Sequence, residues 1–281
     1  MKHFLDTSVV RSLFSGTSAY REHLRSEIGL GRKYISNYIE MEFRRGFLVH
    51  LMEFYAWLEL PTNRTYGEAL RSWSHQWGGR LKAVMQLAGD LCDVQGLDPD
   101  DPSDKGKALL AIGRMIRRYE LKLKGCFRNT GSDRTQCARA TVKLSARLAS
   151  LSEDLTAFQQ RFNDKESCRK ACRIDDVLLD RYRTEVARYV ELAAAETDPG
   201  AKQFKKIAEH LDGLLQKGPA ACTCYRCGQV GDAVIALESP RNCRLEHTDT
   251  SFDYLCSSIG QDHKRHGHER AFFKESESGT E

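Results

Sequence analysis

Four acidic residues in four separate short motifs constrain the fold of this chain more than any other feature. Asp6 and Asp249 each follow a short apolar segment with the character of a β-strand, whereas Glu42 and Asp232 stand in the first turns of helical segments. In a parallel α/β sheet, the carboxyl ends of strands and the starts of the adjacent helices meet in one crevice. The pattern therefore predicts an α/β fold that brings these four carboxylates together.

A cluster of carboxylates has a direct chemical consequence, because its members repel one another unless a cation lies between them. Hard oxygen ligands that leave room for water suit Mg²⁺ or Mn²⁺. Such sites serve phosphoryl chemistry. The sequence therefore predicts a catalytic metal site made by Asp6, Glu42, Asp232 and Asp249.

Each acidic residue also lies in a recognisable local motif. The four motifs are Phe4-Leu5-Asp6-Thr7-Ser8, Ser36 followed by Glu42-Phe43-Arg44-Arg45-Gly46, Asp232-Ala233-Val234-Ile235-Ala236, and Asp249 with Phe252. Together they resemble the motifs of PIN-domain nucleases, a family of RNA-processing enzymes and toxin–antitoxin ribonucleases. The resemblance covers roughly the first 75 and the last 65 residues. Glu40 is a nearby alternative to Glu42 with a poorer offset from the second strand.

The resemblance implies a metal-dependent endonuclease with a small, mainly parallel sheet, and RNA is favoured over DNA as its substrate. A toxin or defence effector, restrained by a protein inhibitor, is one candidate role. Family members hold one or two Mg²⁺ or Mn²⁺ ions on the four acidic residues. Here the supporting hydroxyl residues would be Thr7, Ser8 and Ser36. His247 stands where the family usually has a hydroxyl residue, which would weaken the support of Asp249.

Two other functions stay open at this point. The first is a non-catalytic module that binds nucleic acid or protein on the same fold, although the presence of all four acids argues against it. The second is a structure-specific DNA nuclease on a related fold, in which the middle of the chain would clamp DNA.

The middle of the chain has helical periodicity and no strand alternation. Apolar residues recur at steps of three and four from Leu109 to Leu123 and from Leu144 to Phe162, as in an antiparallel helical hairpin. We predict a PIN-like core in two parts, residues 1–75 and 218–262, interrupted by an all-helical insertion at residues 76–217. Residues 263–281 are predicted to be a polar, disordered tail. The three histidines of that tail resemble a metal-binding tract: His263, His266 and His268.

Within the core, the pattern also predicts individual elements. Strands are expected at residues 4–5, 33–36 and 244–247, and a short edge element is expected at residues 58–61. Helices are expected at residues 8–27, 38–57, 65–91, 231–238 and 253–259.

Basic residues are concentrated in the insertion. The segment from Lys105 to Arg147 holds twelve Lys or Arg and two acidic residues, although the whole chain has a net charge of only +4. Two sets spaced by four residues each lie on one helix face. They are Arg114, Arg118 and Lys122, and Arg139, Lys143 and Arg147. We predict that they contact nucleic-acid phosphates; an acidic protein partner and an ordinary solvated face are the alternatives.

Ten cysteines offer a second candidate metal site. Cys224 and Cys227 are spaced by three and are followed by Gly228, as in a zinc knuckle. Cys168 and Cys172 lie one helical turn apart, and the four thiolates would make a structural Zn²⁺ site. Cys243, His247, and Cys126 with Cys137 are other candidate ligands. The alternative is a set of buried thiols, which is the interpretation preferred for Cys92 and Cys256.

The remaining expectations come from length and hydropathy. No stretch approaches the 18 apolar residues of a membrane span. The first strand starts at once and leaves no room for a signal peptide, so a cytoplasmic protein with reduced thiols is expected. The sequence does not decide the oligomeric state, and a homo-oligomer remains open.

Overall fold

The computed structural model describes residues 1–76, 96–130, 172–218 and 226–272 without residue 270, together with positions 157 and 160. Their chain forms two compact units. The first unit contains residues 1–43, 124–130, 172–218 and 226–272, and the second contains residues 44–76 and 96–123. Across these ranges we find no helix with the length and apolar character that a membrane span requires.

A five-stranded parallel sheet lies in the first unit. Its strands are β1 (Lys2–Leu5), β2 (Arg32–Ile35), β3 (Arg128–Asn129), β4 (Arg244–His247) and β5 (His263–Arg265). The spatial order is β3-β2-β1-β4-β5, and every neighbouring pair is parallel. Phe4 at the centre of the sheet pairs with Tyr34 on one side and with Leu245 on the other. The prediction of an α/β fold with a small parallel sheet is confirmed.

Parallel strands need crossover connections, and helices supply them here. The helices of the first unit are α1 (Thr7–Ser15), α2 (Ser18–Ile28), α3 (Asn37–Phe43), α7 (Ile174–Arg181), α8 (Arg183–Ala195), α9 (Lys202–Lys217), α10 (Arg226–Gln229), α11 (Gly231–Glu238) and α12 (Ser251–Ile259). Those of the second unit are α4 (Val49–Glu59), α5 (Tyr66–Gln76) and α6 (Asp104–Cys126), the last of which ends in the first unit. A single π-helical turn, Arg44–Leu48, precedes α4.

Most side chains of the adjacent strands β1 and β4 are buried. Phe4, Leu5 and Leu245 are completely shielded from solvent, as are Val9 on α1 and Phe252 on α12. Burial of each such side chain stabilises the fold by about 1.5–3 kcal/mol. This packing fixes the carboxyl ends of β1 and β4. Asp6 follows the first of these ends and Asp249 follows the second.

One predicted helix is in fact two. The sequence predicted a continuous helix from Ser8 to Glu27, but α1 ends at Ser15 and α2 begins at Ser18. Gly16 has an extended backbone, and a Cβ there would lie 2.6 Å from the carbonyl oxygen of Ser12. The Thr17 hydroxyl then accepts a hydrogen bond from the Tyr20 amide and starts α2.

Two edge strands occur where the sequence pattern predicted none. β3 lies inside the predicted all-helical insertion, and β5 lies inside the predicted disordered tail. Backbone pairing alone defines them, because two or three residues are too few for a strand pattern in the side chains. The edge element predicted at residues 58–61 was also wrong, since α4 continues to Glu59 and a turn follows.

The second unit contains a buried ion pair. Arg44 Nε and Nη2 donate to the two carboxylate oxygens of Glu120 on α6, at 3.1 and 2.9 Å. Removing one partner of such a pair typically costs about 3–5 kcal/mol. Residues 44–75, predicted as part of the core, lie in this unit, whereas α7, α8 and α9, predicted as part of the insertion, lie in the first unit.

Candidate acidic metal site

The strand order has a reversal point between β1 and β4. The chain moves outward from β1 to β2 and β3 on one side, and from β4 to β5 on the other. In open parallel sheets, the crevice for ligands opens at such a point, beyond the carboxyl ends of the strands. Asp6 directly follows β1, and Asp249 follows β4 by two residues.

Asp6 is buried and caps the start of α1. Its carboxylate accepts hydrogen bonds from the amides of Thr7, at 2.5 Å, and Ser8, at 3.1 Å, and from the Ser8 hydroxyl. The Ser8 hydroxyl in turn accepts a hydrogen bond of 2.8 Å from the Thr248 hydroxyl, next to Asp249. The ends of β1 and β4 are thereby joined through side chains.

Glu42 also belongs to this cluster. Its Oε2 accepts a hydrogen bond of 2.8 Å from the Thr7 hydroxyl. The competing acid Glu40 instead accepts a hydrogen bond of 2.7 Å from the Asn129 amide group on β3. The structure therefore separates the two candidates and associates Glu42 with Asp6. Ser36, predicted to support the acids, instead accepts a hydrogen bond from the Ile39 amide at the start of α3.

Asp232 lies in the first turn of α11, as predicted. Its Oδ2 accepts a hydrogen bond of 2.7 Å from the Ser251 hydroxyl, in the first turn of α12. The neighbouring Gly231 lies against Glu42 so closely that a Cβ there would be 2.7 Å from Glu42 Oε1 and 3.0 Å from the Tyr38 hydroxyl. A larger residue at position 231 would have to displace the Glu42 carboxylate or the Tyr38 hydroxyl, a close approach that the sequence alone did not reveal.

Asp249 is partly exposed to solvent. Its side chain is about half exposed, and its Oδ1 lies 3.8 Å from His268 Nε2. The sequence predicted weaker support of Asp249 because His247 stands in place of a hydroxyl residue. In the structure, His247 Nδ1 lies 3.0 Å from the backbone carbonyl oxygen of Asp249. The loop is thus held by His247 at the Asp249 backbone and by the hydroxyl group of Thr248, which donates to Ser8.

The pKa values show that these carboxylates share one electrostatic environment. Burial is the main cause that raises the pKa of Asp6 to about 8, and the hydrogen bond from Ser8 opposes it only in part. The negative charges of Asp232, Glu42 and Asp249 raise it further. Burial likewise raises the pKa of Asp232 to about 6, with further contributions from Glu42 and Asp249. At neutral pH, Asp6 is therefore protonated in the absence of a compensating positive charge.

The donor set is that of a hard divalent cation, because it consists of carboxylate oxygens backed by hydroxyl groups. The carboxylate oxygens of the four acids are nevertheless farther apart than the ligand atoms of a compact metal site. Within the described chain, the group of three ligand atoms that all lie within 4.8 Å of one another is formed by His247, Asp253 and His263 instead. Because the Asp249 side chain is about half exposed, solvent reaches this part of the acidic cluster.

Part of the predicted basic face is described. Arg114 and Arg118 are exposed one turn apart on α6, and Lys122 is half-buried. Leu110 and Leu121 on the same helix are also more than half exposed. The second set, Arg139, Lys143 and Arg147, lies outside the described residues.

The predicted cysteine site cannot be assembled from the described side chains. Cys168 and Cys224, like the alternative ligand Cys137, lie outside them, and the side chain of Cys227 is not described either. Cys172 is half-buried and Cys126 is exposed. Cys256 is buried, as predicted, and burial raises the pKa of its thiol to about 12. Cys92 also lies outside the described residues.

Two histidine networks include residues from the start of the predicted polar, disordered tail, His263 and His266. Glu246 on β4 is fully buried and accepts hydrogen bonds from His3, His266 and Arg244, at 2.6, 2.8 and 2.8 Å. Burial would raise the pKa of Glu246, but these hydrogen bonds lower it to about 2. The second network joins His247 and His263. The sequence signal was the three-histidine tract, but its pairing with β4 could not be read from spacing.

Comparisons with models of protein families, with curated proteins and with solved structures found no match for this chain.

Proposed function

We propose that the chain is a metal-dependent endonuclease that hydrolyses phosphodiester bonds, with RNA favoured over DNA. One observation carries the proposal: Asp6, Glu42 and Asp232 are linked by short hydrogen-bond paths to the ends of β1 and β4, at the reversal point of the sheet. The raised pKa values of Asp6 and Asp232 support it, because a buried acidic cluster is costly unless a cation offsets its charge. The motif resemblance to PIN-domain nucleases supports it independently.

The residues that would hold Mg²⁺ or Mn²⁺ are Asp6, Glu42, Asp232 and Asp249. When bound there, such an ion would supply Lewis-acid polarisation of a phosphate oxygen and a lowered pKa of bound water. The chain itself fixes the ligands through hydroxyl groups: Ser8 holds Asp6, Thr7 holds Glu42 and Ser251 holds Asp232. Each hydroxyl donates to one carboxylate oxygen and so limits its rotation, which is how neighbouring side chains orient metal ligands.

The direct test incubates the purified chain with three labelled substrates: single-stranded RNA, single-stranded DNA of matched sequence, and DNA with a branch or a flap. We expect RNA cleavage with Mn²⁺ or Mg²⁺ and none with EDTA. Preferred cleavage of branched or flapped DNA would instead favour a structure-specific DNA nuclease. Binding of RNA without cleavage under any metal condition would favour a non-catalytic module and contradict the proposal.

Gly231 offers a test of the site that changes no acidic residue. Gly231→Ala places a methyl group against Glu42 and Tyr38, so the Glu42 carboxylate must move. A displacement of about 1 Å can cost up to about 100-fold in rate, and we expect metal-dependent cleavage to fall by about 10- to 100-fold. The thermal midpoint should change little, because Glu42 can move at its flexible end.

The matched control for that variant is Gly213→Ala on α9. A Cβ at Gly213 meets no atom within 4 Å, so this change adds a methyl group without a clash. The control should cleave like the wild type. Full activity of Gly231→Ala would show that Glu42 does not need its present position.

The exposed basic residues of α6 support a nucleic-acid partner. Each phosphate contact by a Lys or Arg releases counterions, so binding weakens as salt rises. Arg114→Glu with Arg118→Glu should weaken RNA binding and lower the log–log salt slope by about 1.4, from about 0.7 per contact on single strands. Equilibrium binding of labelled RNA over a salt series measures both effects.

Lys202→Glu with Lys206→Glu is the matched control, because these exposed residues are also four apart, on α9. It makes the same change in net charge. Equal loss of affinity in both double variants would mean that overall charge, and not the face of α6, governs binding. Unchanged affinity in the Arg114 and Arg118 variant would remove that face from the proposal.

A further inference from the structure

A second group of potential ligands lies beside the acidic cluster and is chemically different from it. It consists of two imidazoles and one carboxylate: His247 at the end of β4, Asp253 in the first turns of α12, and His263 at the start of β5. His247 is fully buried, whereas about a quarter of His263 and a third of Asp253 are exposed. The group is therefore anchored by a buried residue of the sheet, and its other two residues are accessible to solvent.

The three donor atoms have the spacing of metal ligands. His247 Nε2 lies 3.1 Å from His263 Nδ1. Asp253 Oδ1 lies 3.6 Å from His247 Nε2 and 3.7 Å from His263 Nδ1. Ligand bonds of about 2.0–2.1 Å in a tetrahedral zinc site place neighbouring ligand atoms about 3.3–3.4 Å apart. The observed triangle differs from that by a few tenths of an ångström on each side.

The atoms on the far side of each ligand are already held by the chain. His247 Nδ1 faces the carbonyl oxygen of Asp249 at 3.0 Å, which places the Nδ1 proton there and leaves a lone pair on Nε2. Asp253 Oδ2 accepts a hydrogen bond of 2.6 Å from Arg265 Nη1, which leaves Oδ1 facing the imidazoles. Partners of this kind fix the tautomer and orientation of metal ligands.

His263 completes the arrangement. Its Nε2 lies 3.4 Å from the Ser257 hydroxyl on α12, so Nδ1 is the ring nitrogen that faces the other two ligands. The alternative to a metal ion is a direct hydrogen bond between His247 Nε2 and His263 Nδ1, with one proton between the two nitrogens. That arrangement satisfies the two nitrogens but leaves Asp253 Oδ1 more than 3.5 Å from both.

We propose that His247, Asp253 and His263 form a zinc-binding site with an open fourth position. The site would join β4, α12 and β5, and it would hold the backbone carbonyl of Asp249 through His247. This inference does not depend on the nuclease proposal, because it uses other residues and another metal chemistry. Imidazole nitrogens favour Zn²⁺, whereas the carboxylate cluster favours Mg²⁺ or Mn²⁺.

The test is a Zn²⁺ titration of the full chain after removal of metal with a chelator, in competition with a chromophoric zinc indicator. We expect one tight site that survives Asp6→Asn and Cys224→Ser with Cys227→Ser. His263→Ala should weaken that site by at least about 100-fold, because loss of a direct ligand should exceed the 10- to 100-fold cost of losing an outer partner. Asp253→Asn is the second variant, and it keeps the shape of the side chain.

Cobalt gives a readout that distinguishes the ligands. Co²⁺ in the Cys224→Ser and Cys227→Ser background should give the intense visible bands of a tetrahedral ion without a thiolate charge-transfer band, and His263→Ala should abolish them. Unchanged zinc affinity in both His263→Ala and Asp253→Asn would overturn the inference. Absence of a tight site, or loss of that site in the Asp6 or cysteine variants instead, would also overturn it.

Discussion

Asp6→Asn is expected to reduce metal-dependent cleavage by at least about 100-fold. The change removes one charge from the most buried member of the acidic cluster and keeps the shape of the side chain. Loss of an outer partner of a metal ligand typically costs 10- to 100-fold, and loss of the ligand itself should cost more. Single-turnover cleavage of labelled RNA at saturating Mn²⁺ measures the effect without a contribution from product release.

Glu40→Gln is the matched control for that experiment. Glu40 lies on the same helix as Glu42 and is also acidic; it accepts a hydrogen bond from Asn129 and is not among the charges that raise the pKa of Asp6 or Asp232. This variant should cleave within about threefold of the wild type, since the cluster keeps all four charges. If Asp6→Asn cleaved as fast as Glu40→Gln, the assignment of Asp6 to the metal site would be wrong.

Metal-free protein is expected to lose stability between pH 4 and pH 8 because of Asp6. Its pKa is about 8 in the folded protein, against an ordinary value of 3.8. A carboxyl group with a higher pKa in the folded chain takes up a proton on folding between those two values, so the free energy of unfolding falls as pH rises through that window. At about 1.4 kcal/mol for each pH unit, the loss is at most about 6 kcal/mol.

The comparison of wild type with Asp6→Asn isolates this effect from other titrating groups. His247, for example, acts in the opposite direction, because burial lowers its pKa to about 3 and the resulting contribution rises with pH. We expect the variant to gain about 2–4 kcal/mol over the wild type between pH 4.5 and pH 8 in urea unfolding with EDTA, since local relaxation reduces the full value. A difference that does not change with pH would contradict the buried, protonated Asp6.

Added Mn²⁺ should reverse the loss in the wild type at pH 8. A ligand that binds only the folded state stabilises it by mass action, and the cation also removes the repulsion among the carboxylates. The same addition should leave Asp6→Asn much less stabilised.

The parts of the fold that could be predicted are those in which side-chain pattern and backbone structure coincide. The helix Gly231–Glu238 and the strand Arg244–His247 occur with the predicted bounds. Both consist mainly of buried residues, so their apolar pattern reports directly on packing. Asp6 and Asp232 could be located for the same reason, since Asp6 directly follows β1 and Asp232 lies in the first turn of α11.

The parts that could not be predicted depend on partners distant in the sequence. β3 and β5 exist because β2 and β4 offer free edges, and a two-residue strand has no pattern of its own. The close approach of Gly231 to Glu42 joins residues that are 189 positions apart in the sequence. The contact between His247 and His263 could not be predicted either, because these residues meet only when β5 pairs with β4.

The most direct measurement for the central claim is Mn²⁺ binding to the full chain at pH 8, followed by electron paramagnetic resonance of the free ion. The account predicts one or two bound ions in the wild type and in Glu40→Gln, and an affinity at least about 100-fold weaker in Asp6→Asn. His263→Ala should bind Mn²⁺ like the wild type, which separates the acidic cluster from the histidine group. Equal Mn²⁺ affinity in the wild type and Asp6→Asn would contradict the account.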